Sequence, residues 1–308
     1  MIGRVCGTGS YLPIRTVSND ELSHVMETSD EWIRERTGIR FRHVALEETT
    51  SDMAAEAAAR ALKNGEVNAD EIELILTATS SSDVIYPSAA CIVQKRIGAQ
   101  NALAFDLNGA CSGFVIAFNT AQAYIRAGIY KTILVVGAES MSRLVDWSDR
   151  STSVLFGDGA GAAVFELCKD APYEHVVGVR GDTLIRVGGP CREQRMTMDG
   201  QAVFRFAVTT IPQCVNELCQ KAGVTPDDVD WVICHQANVR ILDASIRRLG
   251  MPAEKFYRNL DRYANTSAAS IPLALDEMRE KGLLQSGQRI ILVGFGGGLT
   301  WAGVMMEV

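Results

Sequence analysis

Short apolar runs alternate along this chain with longer stretches whose apolar residues recur at helical spacing. Residues 73–78 (ELILTA), 131–137 (KTILVVG), 231–234 (WVIC) and 289–294 (RIILVG) lack the polar alternation of a half-exposed strand, so each reads as a strand buried on both faces. In each half of the chain an Ala-rich or amphipathic helix comes first, then an acidic turn and an apolar strand. A helix of small residues and a second apolar strand follow. That order predicts βαβ crossovers and mostly parallel sheets.

The pattern occurs twice. VNADEIELILTA from Val67 matches VTPDDVDWVICH from Val224, KTILVVG ending at Gly137 matches QRIILVG ending at Gly294, and Asn108 of NGACSGF matches Asn265 of NTSAASI; each pair is 157 residues apart. One unbroken offset over three segments marks a duplication. The expected fold is α/β, with duplicated halves at 1–168 and 169–308 in pseudo-twofold symmetry. The small-residue helices then lie between the sheets and a site lies at the junction.

Composition narrows the class. With 47% hydrophobic residues, the 308-residue chain can bury a sizeable core. Its 30 basic and 37 acidic residues give a net charge of −7, which argues against a general attraction to nucleic acid or to an anionic membrane. Eight cysteines, at 6, 91, 111, 168, 191, 214, 219 and 234, form no CxxC pair and no zinc-type spacing, and read as free thiols in a reducing compartment. No run approaches the ~18 apolar residues of a membrane span, and MIGRVCGTGSYLP at the start holds no long apolar segment. A soluble, cytoplasmic protein without metal or nucleic-acid partner is expected.

Three residues stand out as candidate chemistry. Cys111, in FDLNGACSGF, falls between a predicted strand and a helix running through AFNTAQAYIRAG. Unpaired N–H groups and the partial positive charge at a helix start lower a thiol pKa from about 8.5 to about 3.5–7.5, making a ready acyl acceptor. A cysteine among Ala and Gly is more usually a small core residue, and the other cysteines keep that reading. His235, one of four histidines, ends the apolar run WVIC and is followed by Gln236 and Asn238, a polar cluster the strand does not need for folding. His24, His43 and His175 read as surface or packing residues. Asn265 has the composition of a helix N-cap, but its repeat position also sets it beside Cys111 at an equivalent helix start. GDGAGA at Gly157 has a GxGxxA pattern followed by a strand, which argues against a dinucleotide site. FGGGLTW, from Phe295, reads as a tight turn whose backbone N–H groups can also approach a ligand.

NGACSGF, FGDGAGAAV, CHQANVRI, NTSAAS and FGGGLTW, together with GTGSYLP and TSDEWIRERTGI, resemble the beta-ketoacyl-acyl carrier protein synthase III family of the thiolase superfamily over essentially the whole chain. The resemblance implies a thiolase-like five-layered αβαβα fold, a homodimer and a Cys-His-Asn triad at Cys111, His235 and Asn265. It also implies a decarboxylative Claisen condensation that initiates fatty-acid synthesis. An acyl group passes from coenzyme A to Cys111. Malonyl-acyl carrier protein then loses carbon dioxide, and the carbanion attacks the acyl-cysteine.

By the same resemblance the backbone N–H groups of Cys111 and Gly297 form an oxyanion hole. Trp32, Arg36, Arg150 and Asn238 meet coenzyme A, which is a thioester substrate rather than a tightly bound cofactor, and Trp32 and Arg150 sandwich its adenine. Arg240, Arg247 and Arg248 recur at helical spacing, a basic face suited to an acidic carrier protein. Tyr86 stands near the dimer partner's acyl pocket, where the family often has Phe. With Asn108 and Ser112 beside the nucleophile, it leaves the starter group open.

FGGGLTW lacks the second cysteine of a thiolase, and His235 is the single histidine in a context that elongating synthases fill with two. The remaining alternatives are a starter-selecting synthase or non-decarboxylating acyltransferase of polyketide or specialised lipid assembly, and a silent partner subunit. Retention of Cys111, His235 and Asn265 together argues against the last.

Overall fold

Side-chain alternation within each apolar run sets the layering. Leu74 and Leu76 join one core and Ile75 another; Ile133 and Val135 likewise oppose Leu134 and Val136, and Ile290 and Leu292 oppose Ile291 and Val293. Each strand buries both faces, as a continuous apolar run requires. The computed structural model describes residues 1–169, 171–188 and 195–308; Cys191 lies outside them.

A five-stranded sheet has the order Ile2–Tyr11, Asp158–Cys168, Thr132–Ser140, Leu74–Ala78, Leu103–Leu107. A four-stranded sheet has the order Tyr173–Val179, Thr300–Glu307, Arg289–Gly296, Trp231–Cys234. The second sheet repeats the first, and a single bridge from Val232 to Phe256 occupies the fifth strand's place. The 157-residue offset holds at the element level: Leu74 and Trp231, Thr132 and Arg289, Gly113 and Ser270 each begin equivalent elements.

The helices Gly113–Arg126 and Ser270–Glu280 lie between the sheets and pack on both. Thr50–Gly65 and Ala89–Ile97 cover the outer face of the first sheet, and Gly200–Ala222 covers that of the second and packs on Val239–Leu249. This is the five-layered arrangement expected. In the middle layer Phe114, Val115, Ala117, Phe118, Ala121 and Ile125 are fully buried, and the Phe118 ring meets Phe165 edge-on at 4.5 Å. Burying each Phe contributes about 2 kcal/mol.

One expectation is corrected. The sheets are mixed, not mostly parallel. Leu74–Ala78 runs parallel to both its neighbours, and Trp231–Cys234 runs parallel to Arg289–Gly296, but the other four pairings are antiparallel. After Ser140, and again after Gly296, the chain turns back to the adjacent strand without a crossover helix, which only an antiparallel pairing permits. GDGAGA lies at the start of the strand Asp158–Cys168 and opens no helix.

The cysteines also divide. Cys214, Cys219 and Cys234 are buried, as expected of small core residues, whereas Cys91 is exposed beside the edge strand. Among the described residues no helix is long and apolar enough to cross a membrane, and no group of three or more His, Cys, Asp or Glu gathers to hold a metal ion.

Candidate active site

Close approach of the two halves builds the site. A Cβ added at Gly294 would lie 2.9 Å from the Cα of Ser112, and one added at Gly137 would lie 2.4 Å from the carbonyl oxygen of Ala268. Each half's central strand therefore carries the helix start of the other half on a glycine. Two residues further along, Gly296 makes room for Cys111, whose Cβ would sit 2.9 Å from an added methyl. Its equivalent, Glu139, reaches Ser267 instead.

Both helix starts open with a short 3-10 turn, Ala110–Ser112 and Ser267–Ala269. Ala110 and Ser267 take positive φ values of 46° and 50°, conformations that cost an L-residue energy and recur at functional sites. The Asn two residues earlier accepts the strained residue's N–H, Asn108 at 3.3 Å and Asn265 at 2.9 Å. Asn265 is also pinned through its backbone, its N–H donating to Leu155 and its carbonyl accepting from Gly157. With its side-chain oxygen engaged, the amide NH₂ has no partner among the described residues.

His235 leaves the strand Trp231–Cys234 with its N–H donating to Val293 at 2.8 Å. Its Nδ1 lies 2.7 Å from the Ser270 hydroxyl, and its ring meets Phe295 edge-on at 5.2 Å. Burial lowers the imidazole pKa to about 3, so the ring is neutral. A hydroxyl donating to Nδ1 fixes the proton on Nε2, which leaves that nitrogen a hydrogen-bond donor.

Cys111 behaves otherwise than the sequence predicts. Burial pushes its thiol pKa up to about 12; a hydrogen bond with Ser267 lowers it, and the charge of Glu139 raises it. A helix start supplies only a partial charge, and among the described residues no cation is among the influences on the sulfur.

These groups open on one cavity of about 1340 Å³. Cys111, His235, Asn265, Gly297, Trp32, Arg36, Arg150 and Asn238 all line it. Arg36 and Arg150 share the Trp32 ring, with guanidinium carbons 4.5 and 5.1 Å from its centroid. A flat base sandwiched between Trp32 and Arg150 needs two stacking gaps of about 3.5 Å each, so Arg150 must first swing from the hydrogen bond it donates to the Glu27 carbonyl. Asn238 caps the helix Val239–Leu249 by accepting the Arg240 N–H at 2.8 Å, and donates to the Arg36 carbonyl at 3.1 Å.

Arg240, Arg247 and Arg248 are exposed on that helix and outside the cavity. Arg240 donates to the Glu35 carbonyl and Arg248 to the Val208 carbonyl. Tyr86 is 84% exposed and does not reach the cavity of its own chain, which Asp83 and Val84 line. Sequence reasoning missed Glu139, Ser267, Ser270 and Phe295. The signal available for Glu139 was the one that singled out His235: a polar residue ending a fully apolar strand.

Comparison with known proteins places this arrangement. Residues 105–180 match the family model of 3-oxoacyl-[acyl-carrier-protein (ACP)] synthase III, and residues 219–308 match the model of its C-terminal part. The chain is 44% identical to the beta-ketoacyl-[acyl-carrier-protein] synthase III of Clostridium acetobutylicum, the alignment covering 98% of each. The crystal structure of 3-oxoacyl-[acyl-carrier-protein] synthase III from Aquifex aeolicus VF5 superposes with a TM-score of 0.96 at 42% identity, covering 99% of this chain and 100% of that one. The priming beta-ketosynthase from the R1128 polyketide biosynthetic pathway superposes with a TM-score of 0.95 at 37% identity, covering 100% and 96%.

Proposed function

The chain belongs to the beta-ketoacyl-[acyl-carrier-protein] synthase III family, and on that premise we propose that it condenses an acyl-coenzyme A starter with malonyl-acyl carrier protein to begin fatty-acid synthesis, using Cys111, His235 and Asn265. The convergence of a thiol, a neutral imidazole and an unpartnered amide on one cavity carries this reading. Cys111 attacks the thioester carbonyl, and the N–H groups of Cys111 and Gly297 receive the oxyanion. Coenzyme A then leaves. Malonyl-acyl carrier protein enters, and loss of carbon dioxide places negative charge on its thioester oxygen. His235 Nε2–H and the Asn265 amide donate to that oxygen, and preorganised donors of this kind contribute about 10²–10³ each in rate. The enolate carbon attacks the acyl-cysteine and frees the thiolate.

Trp32, Arg36, Arg150 and Asn238 are assigned to coenzyme A at the cavity mouth, and Arg240, Arg247 and Arg248 to the carrier protein. A homodimer joined at the edge strand Leu103–Leu107 is supported by the exposed Leu103 and by the apolar Val84, Ile85 and Tyr86 in the loop leading to Ala89–Ile97. Tyr86 would then reach the partner's acyl pocket. The free thiols fit a cytoplasmic setting, and the two halves divide after the strand that ends at Cys168.

Intact-protein mass spectrometry after incubation with acyl-coenzyme A tests the nucleophile. The wild type gains one acyl group and Cys111→Ser gains none; an undiminished adduct on the variant would overturn the assignment. Likeness to a priming polyketide ketosynthase favours a second reading, a starter-selecting synthase. A panel of acyl donors with malonyl-acyl carrier protein separates the two: preference for acetyl or short branched starters supports the first, and preference for an unusual starter supports the second.

A further inference from the structure

The Asn265 amide can serve as a fixed donor only if its backbone is fixed, and that backbone is held by the segment 154–157. The Asn265 N–H donates to the Leu155 carbonyl at 2.9 Å, the Gly157 N–H donates to the Asn265 carbonyl at 3.0 Å, and Phe156 makes an isolated parallel bridge with Asn265. Residues 151–157 form turns and that one bridge, not a helix or a strand. With no ladder of its own, the segment must be fixed from outside.

One end is tied by Asp158, whose carboxylate accepts the Ser142 N–H at 2.8 Å, the Ser142 hydroxyl at 2.6 Å and the Ala45 N–H at 2.8 Å. Arg42 ties the other end. Its Nη2 donates to the Val154 carbonyl at 3.1 Å and to Asn19 Oδ1 at 2.8 Å, and its Nη1 donates to the Val17 carbonyl at 3.3 Å. The strand Phe41–His43, which carries Arg42, lies close against the segment because residue 157 is glycine: a Cβ there would meet Arg42 Cβ at 3.1 Å. Asn19 is held in turn, its NH₂ donating to Asp30 at 2.9 Å and to the Ile39 carbonyl at 2.7 Å.

Arg42 is fully buried, yet its hydrogen-bond partners are all neutral oxygens, and its Nε has none among the described residues. A buried cation without a bonded carboxylate costs the fold stability. What the guanidinium supplies is geometry: one planar fork holds three oxygens from separate segments at once, which the single ammonium of a lysine cannot do.

We propose that Arg42 is a positioning residue for malonyl decarboxylation, holding the segment 154–157 and, through it, the Asn265 amide where the enolate oxygen forms. The inference rests on the role proposed for Asn265 above. Arg42 does not line the cavity and touches no substrate. Freed from the fork, Val154 takes Leu155 and Gly157 with it, and both ends of Asn265 follow. A misplacement of about 1 Å at a reacting group costs about 10²-fold in rate. Cys111 is seated elsewhere, against Gly296, so the acyl-transfer half-reaction does not depend on this hold.

Two variants test the assignment, Arg42→Met and Arg42→Lys. The kcat of malonyl-acyl carrier protein decarboxylation should fall about 10²-fold in the first and about tenfold in the second, where one ammonium replaces the fork. KM should stay within about twofold, the mark of an interaction made in the transition state. Acylation of Cys111 should fall far less, and its alkylation by iodoacetamide should keep near the wild-type rate. In an Asn265→Ala background Arg42→Lys should cost nothing further, because the two changes remove the same donor. Wild-type decarboxylation in Arg42→Lys overturns the proposal, and this variant decides alone if Arg42→Met does not fold. The same fold-loss with and without Asn265, or parallel losses of decarboxylation, acylation and alkylation with a lowered melting temperature, overturns it too, marking Arg42 as support for the fold at large. Failure of the wild type itself to decarboxylate malonyl-acyl carrier protein overturns the functional reading instead.

Discussion

At the start of the helix Gly113–Arg126, Asn108 accepts the N–H of Ala110 and Cys111, the proposed nucleophile, follows; at the start of Ser270–Glu280, Asn265 accepts the N–H of Ser267 and Ala268 occupies the place of Cys111. The backbones match, down to the positive φ. Their surroundings do not. Asn108 is exposed and its hydrogen bond is long, whereas Asn265 is 6% exposed and held at three points. Duplication thus supplied two equivalent helix starts, and burial holds Asn265 in one place, as the donor role proposed for it requires. A donor in a water-poor site is worth more because its field is not screened and it need not reorganise.

The sharpest way to break this comparison is to remove each asparagine in turn. Asn265→Ala should lower malonyl decarboxylation about 10²–10³-fold. Asn108→Ala should change it within about fivefold, the effect of about 1 kcal/mol from a solvated hydrogen bond. Equal losses would mean that both asparagines only shape the turns. The glycines opposite extend the test. In Gly296→Ala the new methyl would meet Cys111 Cβ at 2.9 Å and its N at 3.0 Å, and displacement of a nucleophile by about 1 Å costs about 10²-fold. Gly297→Ala, whose methyl meets nothing closer than 3.6 Å, should leave iodoacetamide labelling of Cys111 near the wild-type rate.

His235 gives a smaller effect, read in stability. Its folded pKa of about 3 lies below the ordinary 6.5, so below pH 6.5 the unfolded chain binds a proton that the folded chain refuses. Stability from this group is full above pH 6.5 and is lost progressively as pH falls toward 3. The urea midpoint of the wild type should therefore fall more steeply between pH 7 and 4.5 than that of His235→Asn; identical slopes would place the titrating group elsewhere.

Smallest of all is the rim. Arg240→Glu should weaken condensation with malonyl-acyl carrier protein several-fold at low salt while sparing acyl transfer from coenzyme A, and raised salt should narrow the gap because screening removes attraction in the wild type. Equal losses in both half-reactions would trace instead to the hydrogen bond from Arg240 to Glu35.

Periodicity and the repeat made the layers and the duplication legible and marked Cys111, His235 and Asn265 as candidates, which the family resemblance joined into one proposed triad. Strand direction was not legible: ELILTA looks the same run either way, and what decides it is whether a helix or a loop brings the chain back. The burial that pushes the Cys111 thiol pKa up was not legible for a related reason. The helix start is local and visible in sequence, but the groups that approach Cys111, Gly296 and the charge of Glu139, come from long range. Ser270 and Phe295, which set the tautomer and surroundings of His235, hid within runs that read as ordinary cap and turn. Arg150 against Trp32 was readable as a partnership but not as a closed one.

The glycines at Gly137 and Gly294 have a consequence beyond the site. Each half's central strand serves as the seat for the other half's helix start, and the middle helices rest on both sheets. Neither half can therefore loosen without undoing the other's packing, and the chain should melt as one cooperative unit despite its duplicated plan. Residues 1–168 expressed alone would expose the apolar underside of Gly113–Arg126 and aggregate. The duplicated halves form an obligate partnership within one chain.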